Sequence, residues 1–372
     1  MSRLAFVTGA SGFVGAHLCR QLLDQGWRVR VLLRPTSRRD DLAGLEIEPR
    51  EGDVTDPASL AAALSGGADA VFHVAASTSI WSRERDLQTR INVDGTRHVI
   101  EAAVAAGVPR LVHTSSFAVW GFRHDLITEE SPWVEEGGWI NYVRTKRRAE
   151  ELVRAATGEG RLEAVICNPA HILGPGDRHN WSRMIRMVDT GKLPGVPPGG
   201  GAFADVREVA RAHVAAFERG RNGASYLLGG EDTTFLEVIR MVGDILGKPV
   251  PRRASPAWLL RAAGRVQAAV AAVTGRAPDV TPEGAAMITR HLACDSSRAV
   301  DELGYRVTPV RALLEDTCAW MRREGLRTGH RARRHPRLPG RTRTGTAQRQ
   351  KPPRTRTSAR RSSPPCRRRT GP

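Results

Sequence analysis

Gly9-Ala10-Ser11-Gly12-Phe13-Val14-Gly15 follows directly on an apolar run at residues 4–8 and opens an apolar-periodic stretch at residues 17–23. At such a junction glycines let the chain turn tightly, let backbone approach a pyrophosphate and let a helix pack on the strand. The helix N-terminus meanwhile offers unpaired N–H groups to an anion. The spacing alone fits any Gly-rich turn between strand and helix. Its place after a first strand points instead to dinucleotide binding by Gly9, Ser11, Gly12, Phe13, Val14 and Gly15.

Working outward, further apolar runs at residues 29–33, 45–49, 70–74, 111–114 and 164–168 alternate with amphipathic stretches. Short runs rich in Val, Leu and Ile, separated by helices, indicate parallel strands covered on both faces. The expected fold class is α/β: a Rossmann doubly wound parallel sheet over residues 1–172, to which residues 203–229 return at 203–206 and 225–228. A smaller C-terminal substrate lobe is expected over residues 173–325. The remaining residues, 326–372, form a basic tail with two Leu and no aromatic side chain. It cannot bury enough surface to offset chain entropy and is expected to be disordered. Its Arg, Pro, Thr, Ser and Gly content also resembles an out-of-frame reading of a GC-rich gene.

The chain has 372 residues and a formal charge of +18, from 57 Lys and Arg against 39 Asp and Glu. The excess is local: 15 Arg, one Lys and no acid fall in residues 326–372, so the body is close to neutral. No basic surface follows from the overall charge, and a nucleic-acid argument would rest on the tail, which has no recognition fold or aromatic interleaving. Cys19, Cys167, Cys294, Cys318 and Cys366 are far apart, without metal-ligand spacing. A reduced, cytoplasmic, metal-free protein is expected, with no secretory leader and no apolar run of the ~20 residues that a membrane span requires.

Three features carry chemistry. Arg34 ends the second apolar run where an NAD-preferring site places a carboxylate, with Ser37, Arg38 and Arg39 behind it. A guanidinium can pair with a 2′-phosphate, so NADP(H) is expected in preference to NAD(H). Asp53, in Gly52-Asp53-Val54, stands where it would accept the adenine amino proton or cap a helix, Asp56 being the better cap. Tyr142-Val143-Arg144-Thr145-Lys146 puts a phenol and an ammonium on one helical face. The cation would favour the phenolate and suit the tyrosine to acid/base work. This pair follows Thr114-Ser115-Ser116, at the strand edge where open α/β sheets bind ligands.

In combination Gly9 to Gly15, Gly52-Asp53-Val54, His73-Val74-Ala75-Ala76, Asn92-Val93-Asp94-Gly95-Thr96, Thr114-Ser115-Ser116 with Val119-Trp120-Gly121, Tyr142 to Lys146, and Asn168-Pro169 through Gly174-Pro175 resemble the extended short-chain dehydrogenase/reductases, the NAD-dependent epimerase/dehydratase superfamily. The resemblance runs over about residues 1–325. It implies Ser116 as catalytic hydroxyl, Tyr142 as acid/base, and Lys146 as the residue that holds the nicotinamide ribose and lowers the Tyr pKa. It further implies Ala75 and Ala76 along the cofactor, Asn92 as framework and among the cofactor-binding residues, and Pro169 and Ile172 flanking the nicotinamide. Trp120 replaces a customary Tyr, an exchange expected to alter the pocket wall.

Dehydratases of this kind carry Asp-Glu after the catalytic hydroxyl, whereas Phe117 and Ala118 stand here. Nucleotide-sugar epimerases usually carry an Arg-Asp pair at the returning strand, and Ala202 to Val206 lack it unless Arg207 or Arg211 substitutes. Val206 to His213 and Gly223 to Gly230 resemble instead the dihydroflavonol 4-reductase-like and 3β-hydroxysteroid dehydrogenase-like branch. That branch implies an NADP(H)-dependent oxidoreductase for a carbonyl or alcohol on a lipophilic small molecule. An NAD-dependent nucleotide-sugar epimerase and an NADP-binding protein with a nucleic-acid-binding tail are the alternatives, and a homodimer is left open. Residues 252–276 hold Arg252, Arg253, Arg261, Arg265 and Arg276 without an acid, around a helix sharing Leu259, Val266, Val270 and Val273 on one face. Peripheral membrane contact is one reading; a lobe helix packing that face inward is the preferred one.

Overall fold

A computed structural model describes residues 2–122 and 125–326. Its strands are β1 (Leu4–Thr8), β2 (Arg28–Leu33), β3 (Ile47–Glu51), β4 (Ala70–His73), β5 (Arg110–Thr114), β6 (Leu126–Ile127), β7 (Glu163–Pro169), β8 (His171–Leu173), β9 (Gly200–Asp205), β10 (Ser225–Leu228), β11 (Glu231–Thr234) and β12 (His291–Cys294). The helices are α1 (Phe13–Asp24), α2 (Pro57–Ala63), α3 (Arg85–Thr89), α4 (Gly95–Ala105), α5 (Asn141–Gly158), α6 (Trp181–Asp189), α7 (Val206–Arg219), α8 (Phe235–Leu246), α9 (Ala257–Thr274), α10 (Pro282–Ile288), α11 (Ser297–Leu303) and α12 (Val310–Arg323).

Seven strands form an all-parallel sheet in the order β3-β2-β1-β4-β5-β7-β10. The central strands are apolar on both faces because helices cover both. On one side Leu18, Cys19 and Leu22 of α1 meet Val209, Ala212 and Ala216 of α7. On the other, Leu60 of α2, Val99 and Ala103 of α4, and Val153 and Ala156 of α5 share a core. Pro49 lies in β3, an edge strand pairing with β2 alone, where a missing N–H disturbs no inner ladder.

The expectation for residues 203–206 is corrected. β9 does not rejoin the main sheet but centres a second one, pairing with β8 and β12 in parallel and β11 antiparallel, with β6 beyond β12. Residues 225–228, as β10, do pair with β7. Around β8 and β9, Ile185, Val188, Phe235, Val238, Ile239, Leu313 and Leu314 form a separate lobe core. Leu326 packs against that core and its N–H donates to the Met321 carbonyl, so it belongs to the lobe; the rest of the expected tail lies outside the described residues. A second correction concerns α9, where only Gly264 and Ala271 are buried, while Leu259, Val266, Val270 and Val273 face outward. Among the described residues no helix is long and apolar enough to cross a membrane.

Candidate active site

The strand ends of the main sheet and the lobe enclose a cleft of about 890 Å³. At one end the β1–α1 turn builds an anion cradle. Gly9 has φ +73°, and a Cβ on it would fall 2.5 Å from the Ala75 nitrogen. A Cβ on Gly15 would fall 2.1 Å from the Gly9 carbonyl oxygen. Only glycine lets the turn, the helix and the β4 loop close this tightly. Gly12 caps α1 without a side-chain hydrogen bond, so the first-turn N–H groups remain for a ligand. Ser11, Phe13 and Val14 line the same end.

At the ends of β2 and β3 the cleft is lined by Leu32, Arg34, Ser37, Gly52, Asp53 and Val54. Arg34 is exposed, its N–H donating to Ser37 Oγ at 3.0 Å, and among the described residues its guanidinium makes no ion pair. Arg38 is held by Asp40 at 2.8 Å. Asp53 Oδ1 accepts from both the N–H and the hydroxyl of Thr55, each at 2.8 Å, and Asp56, not Asp53, caps α2. His98 Nδ1 lies 3.0 Å from the Val54 carbonyl oxygen, fixing that loop.

Ser116, Tyr142 and Lys146 reach the cleft from two elements. Ser116 follows β5 and its Oγ accepts from the Ala118 N–H at 3.3 Å. Tyr142 and Lys146 lie one turn apart on α5, and Lys146 Nζ donates to the Thr114 carbonyl at 2.6 Å. Burial lowers the Lys146 pKa to about 8, opposed by the charge of Glu150. Burial also raises the Tyr142 pKa, while the Ser116 hydroxyl hydrogen-bonded to it pulls the other way. The net direction for Tyr142 is therefore up, opposite to expectation, because desolvation of a phenolate outweighs a single hydroxyl partner.

Glu150 and Arg154 continue this helical face. Glu150 is wholly buried, its carboxylate accepting from Arg154 Nη2 at 2.7 Å and Asn168 Nδ2 at 3.0 Å. Asn168 Nδ2 also donates to the Ser116 carbonyl at 3.3 Å. One buried carboxylate thus ties α5 to β7 and to the Ser116 backbone.

Asn92 does not line the cleft, which corrects its place among the cofactor-contacting residues. It sits in a π-helical segment, residues 90–94, between α3 and α4. Its amide accepts from the Ser77 N–H at 2.7 Å and donates to the Ser77 carbonyl and Thr145 Oγ1. It braces the β4 loop, whose Ala75 and Ala76 line the cleft, against α5. Trp120 also departs from expectation: it is buried with Phe117, Val119 and Phe122 and forms no part of the cleft wall. Ser115 was not foreseen. It lines the cleft, and its buried hydroxyl has no partner among the described residues.

Beyond Pro169 and Ile172 the cleft turns mostly apolar, lined by Ala170, His171, Trp181, Met184, Pro197, Phe235 and Ile288, with Asn180 the polar residue beside them. His171, Trp181, Phe203 and Phe235 form one ring cluster, with centroids 4.7 to 6.2 Å apart. Burial lowers the His171 pKa to about 4, so this wall is uncharged at neutral pH. Buried Asp177 accepts from the N–H groups of His179, Asn180 and Ser182, fixing the start of α6 and with it Trp181. Arg207 is engaged by Asp205 at 2.7 Å and Asp316 at 2.8 Å, and Arg211 by Glu208; neither lines the cleft. Among the described residues no cluster suited to a metal ion occurs.

Comparison with known proteins agrees with this architecture. Residues 5–229 match the NAD dependent epimerase/dehydratase family. A Synechocystis protein with the provisional name dihydroflavonol 4-reductase is 35% identical over 340 residues, 87% of this chain and 96% of that protein. Sterol demethylase protein B of Methylococcus capsulatus is 34% identical over 328 residues, 86% of this chain and 98% of that protein. The crystal structure of gox2253 superposes with a TM-score of 0.76 at 35% identity, covering 88% of this chain and all of that one. The chain belongs to the NAD-dependent epimerase/dehydratase family, the extended short-chain dehydrogenase/reductases, on its dihydroflavonol reductase-like and 3β-hydroxysteroid dehydrogenase-like branch, and is an NAD(P)-dependent oxidoreductase.

Proposed function

We propose that the chain interconverts a carbonyl and an alcohol on a lipophilic small molecule, with NADP(H) in preference to NAD(H). The observation that carries this reading is the far wall of the cleft. Trp181, Met184, Pro197, Phe235 and Ile288 converge there, while the arginines that might hold a diphosphate are taken up by Asp205, Asp316 and Glu208. A nucleotide sugar would leave its charge without a partner at that wall, whereas a polycyclic or isoprenoid group would bury apolar surface at ~25 cal/mol per Å². The name of the sterol demethylase relative fits the same substrate class.

The Gly9–Gly15 cradle and the uncapped start of α1 suit a dinucleotide phosphate. Arg34 suits a 2′-phosphate. A nicotinamide dinucleotide held there would supply or accept the hydride. Ser116 and Tyr142 hold the substrate oxygen, Tyr142 transfers its proton with the Ser116 hydroxyl opposing the burial that raises its pKa, and Lys146 holds ribose hydroxyls. With no Asp-Glu pair after Ser116, the site lacks the further acid and base that elimination of water requires.

The test is a panel of lipophilic carbonyls and nucleotide sugars, assayed with NADPH and NADH for wild type and Tyr142→Phe. The expected result is NADPH oxidation by a lipophilic carbonyl, reduced ~100-fold or more in the variant with dinucleotide affinity retained. Turnover of nucleotide sugars alone, or a Tyr142→Phe variant within a few-fold of wild type, would overturn the reading.

A further inference from the structure

The outward face of α9 is an exposed apolar arc edged by arginines. At 100° per residue, Trp258, Leu259, Ala262, Val266, Ala269, Val270 and Val273 fall in one arc of about 120°. The buried members of the inward face are the small Gly264 and Ala271, with half-buried Leu260 and Gln267 beside them. The bulky members of the arc are open to solvent: Trp258 is 69% exposed, Leu259 48%, Val266 64%, Val270 54% and Val273 89%. A run of this kind on a helix surface marks a docking face.

Its charge identifies the partner. Between Asp244 and Asp279 the chain carries six bases and no acid. Arg261 and Arg265 flank the arc on one edge, and Arg252, Arg253 and Arg276 lie near its ends. Among the described residues none of these five arginines forms an ion pair. The nearby acids are already matched, Glu283 by Arg85, Asp279 by Arg183 and Glu136 by Arg290. Beyond the Arg261 and Arg265 edge lies a second cavity of about 260 Å³, lined by Phe122, Glu136, Trp139, Arg261, Arg265 and Arg290 among others, where Glu136 takes up Arg290 and, among the described residues, leaves Arg261 and Arg265 without an acid. Trp139 is half exposed there.

We propose that α9 rests on an anionic membrane surface, its apolar arc among the acyl chains, Trp139 and Trp258 at the interface, and a lipid phosphate between Arg261 and Arg265. A second copy of the chain fits poorly, since two such faces would oppose arginines with no acid between them. Amphipathic helices with a basic edge bind bilayers in this way, and indoles favour the headgroup level.

The test uses the full chain, so that the basic carboxy-terminal residues are present in every arm. Wild type, Arg261→Glu/Arg265→Glu and Val266→Asp/Val270→Asp are floated with phosphatidylcholine vesicles with and without phosphatidylserine, and their melting temperatures are compared. Flotation of wild type with the anionic vesicles, reduced about tenfold or more in each variant, is expected. Wild-type tryptophan fluorescence should also be quenched by brominated acyl chains, a readout that residues 327–372 cannot supply because they contain no Trp. The proposal is overturned by unchanged flotation of the variants, by absence of quenching, or by an apolar-face variant that alters the mass in solution instead of vesicle binding.

Discussion

Acid should destabilise this protein well above the carboxylate range, through three histidines sealed around the main sheet. His73, His113 and His213 are each at most 1% exposed. Burial is the first cause of their lowered pKa values, to about 3 for His73, about 4 for His213 and well below the ordinary value for His113. The nearby charge of Lys146 adds to the effect at His73 and His113. His73 has Thr8 and Thr96 as partners and His213 has Thr114 and the Val209 carbonyl. Among the described residues neither His113 nitrogen has a partner.

An unfolded imidazole titrates near 6.5, so between pH 7.5 and 5.5 the unfolded chain takes up protons that the folded one refuses. Stability is present above that window and is lost as pH falls through it. Each histidine contributes about 1.4 kcal/mol over those two units, and together about 4 kcal/mol, a large share of an ordinary folding free energy. At pH 5.5 unfolding should take up about 2.7 protons from these three groups. With ~2.1 cal/mol/K per residue over roughly 325 residues, the melting temperature should fall by about 6 °C between pH 7.5 and 5.5. His171 and His17, also lowered by burial, act in the same direction. Urea unfolding at a series of pH values, followed by circular dichroism, gives the proton uptake from the slope. His113→Leu should remove about 0.9 of a proton and cost little at pH 7.5, because no hydrogen bond is lost. An uptake below about one proton, or an unchanged slope in His113→Leu, would refute the reasoning.

Arg34→Asp should move the affinity ratio from NADPH toward NADH by about tenfold or more, since it replaces a charge-assisted partner of the 2′-phosphate by a like charge; an unchanged ratio makes Arg34 a bystander. Glu150→Gln keeps an acceptor for Asn168 but removes the charge that meets Arg154 and supports Lys146. Because Arg154 is 41% exposed and can regain water, the expected loss is about 2–3 kcal/mol, or about 3–4 °C. The Lys146 ionisation should move below about 8 in the pH profile of turnover. A variant that melts earlier with an unmoved profile would limit Glu150 to a structural role.

The contrast between what could and could not be read from the chain follows sequence distance. The β1–α1 turn, the Tyr142 and Lys146 pair and the Asp56 cap depend on neighbours within a few residues, and spacing read with its flanking strand or helix makes them legible. Of β9 only the part from Phe203 was legible as a strand, because the element opens on Gly200 and Gly201, and its partners β8, β11 and β12 are chosen by distant segments. The same limit hid the aromatic wall, where His171, Trp181, Phe203 and Phe235 come from four elements. It also hid the pairing that removes Arg207 from any anion-binding role, because Asp316 lies on α12.

The apolar pattern of α9 failed for a different reason. Hydrophobicity identifies a face without saying which face is packed. At Gly264 an added Cβ would stand 3.0 Å from the Thr281 carbonyl oxygen, so a bulky residue there would force the helix away from the chain leading into α10. Close approach through glycine and alanine turns the valines outward. Small residues therefore set the orientation of this helix, and large ones mark what remains to be covered.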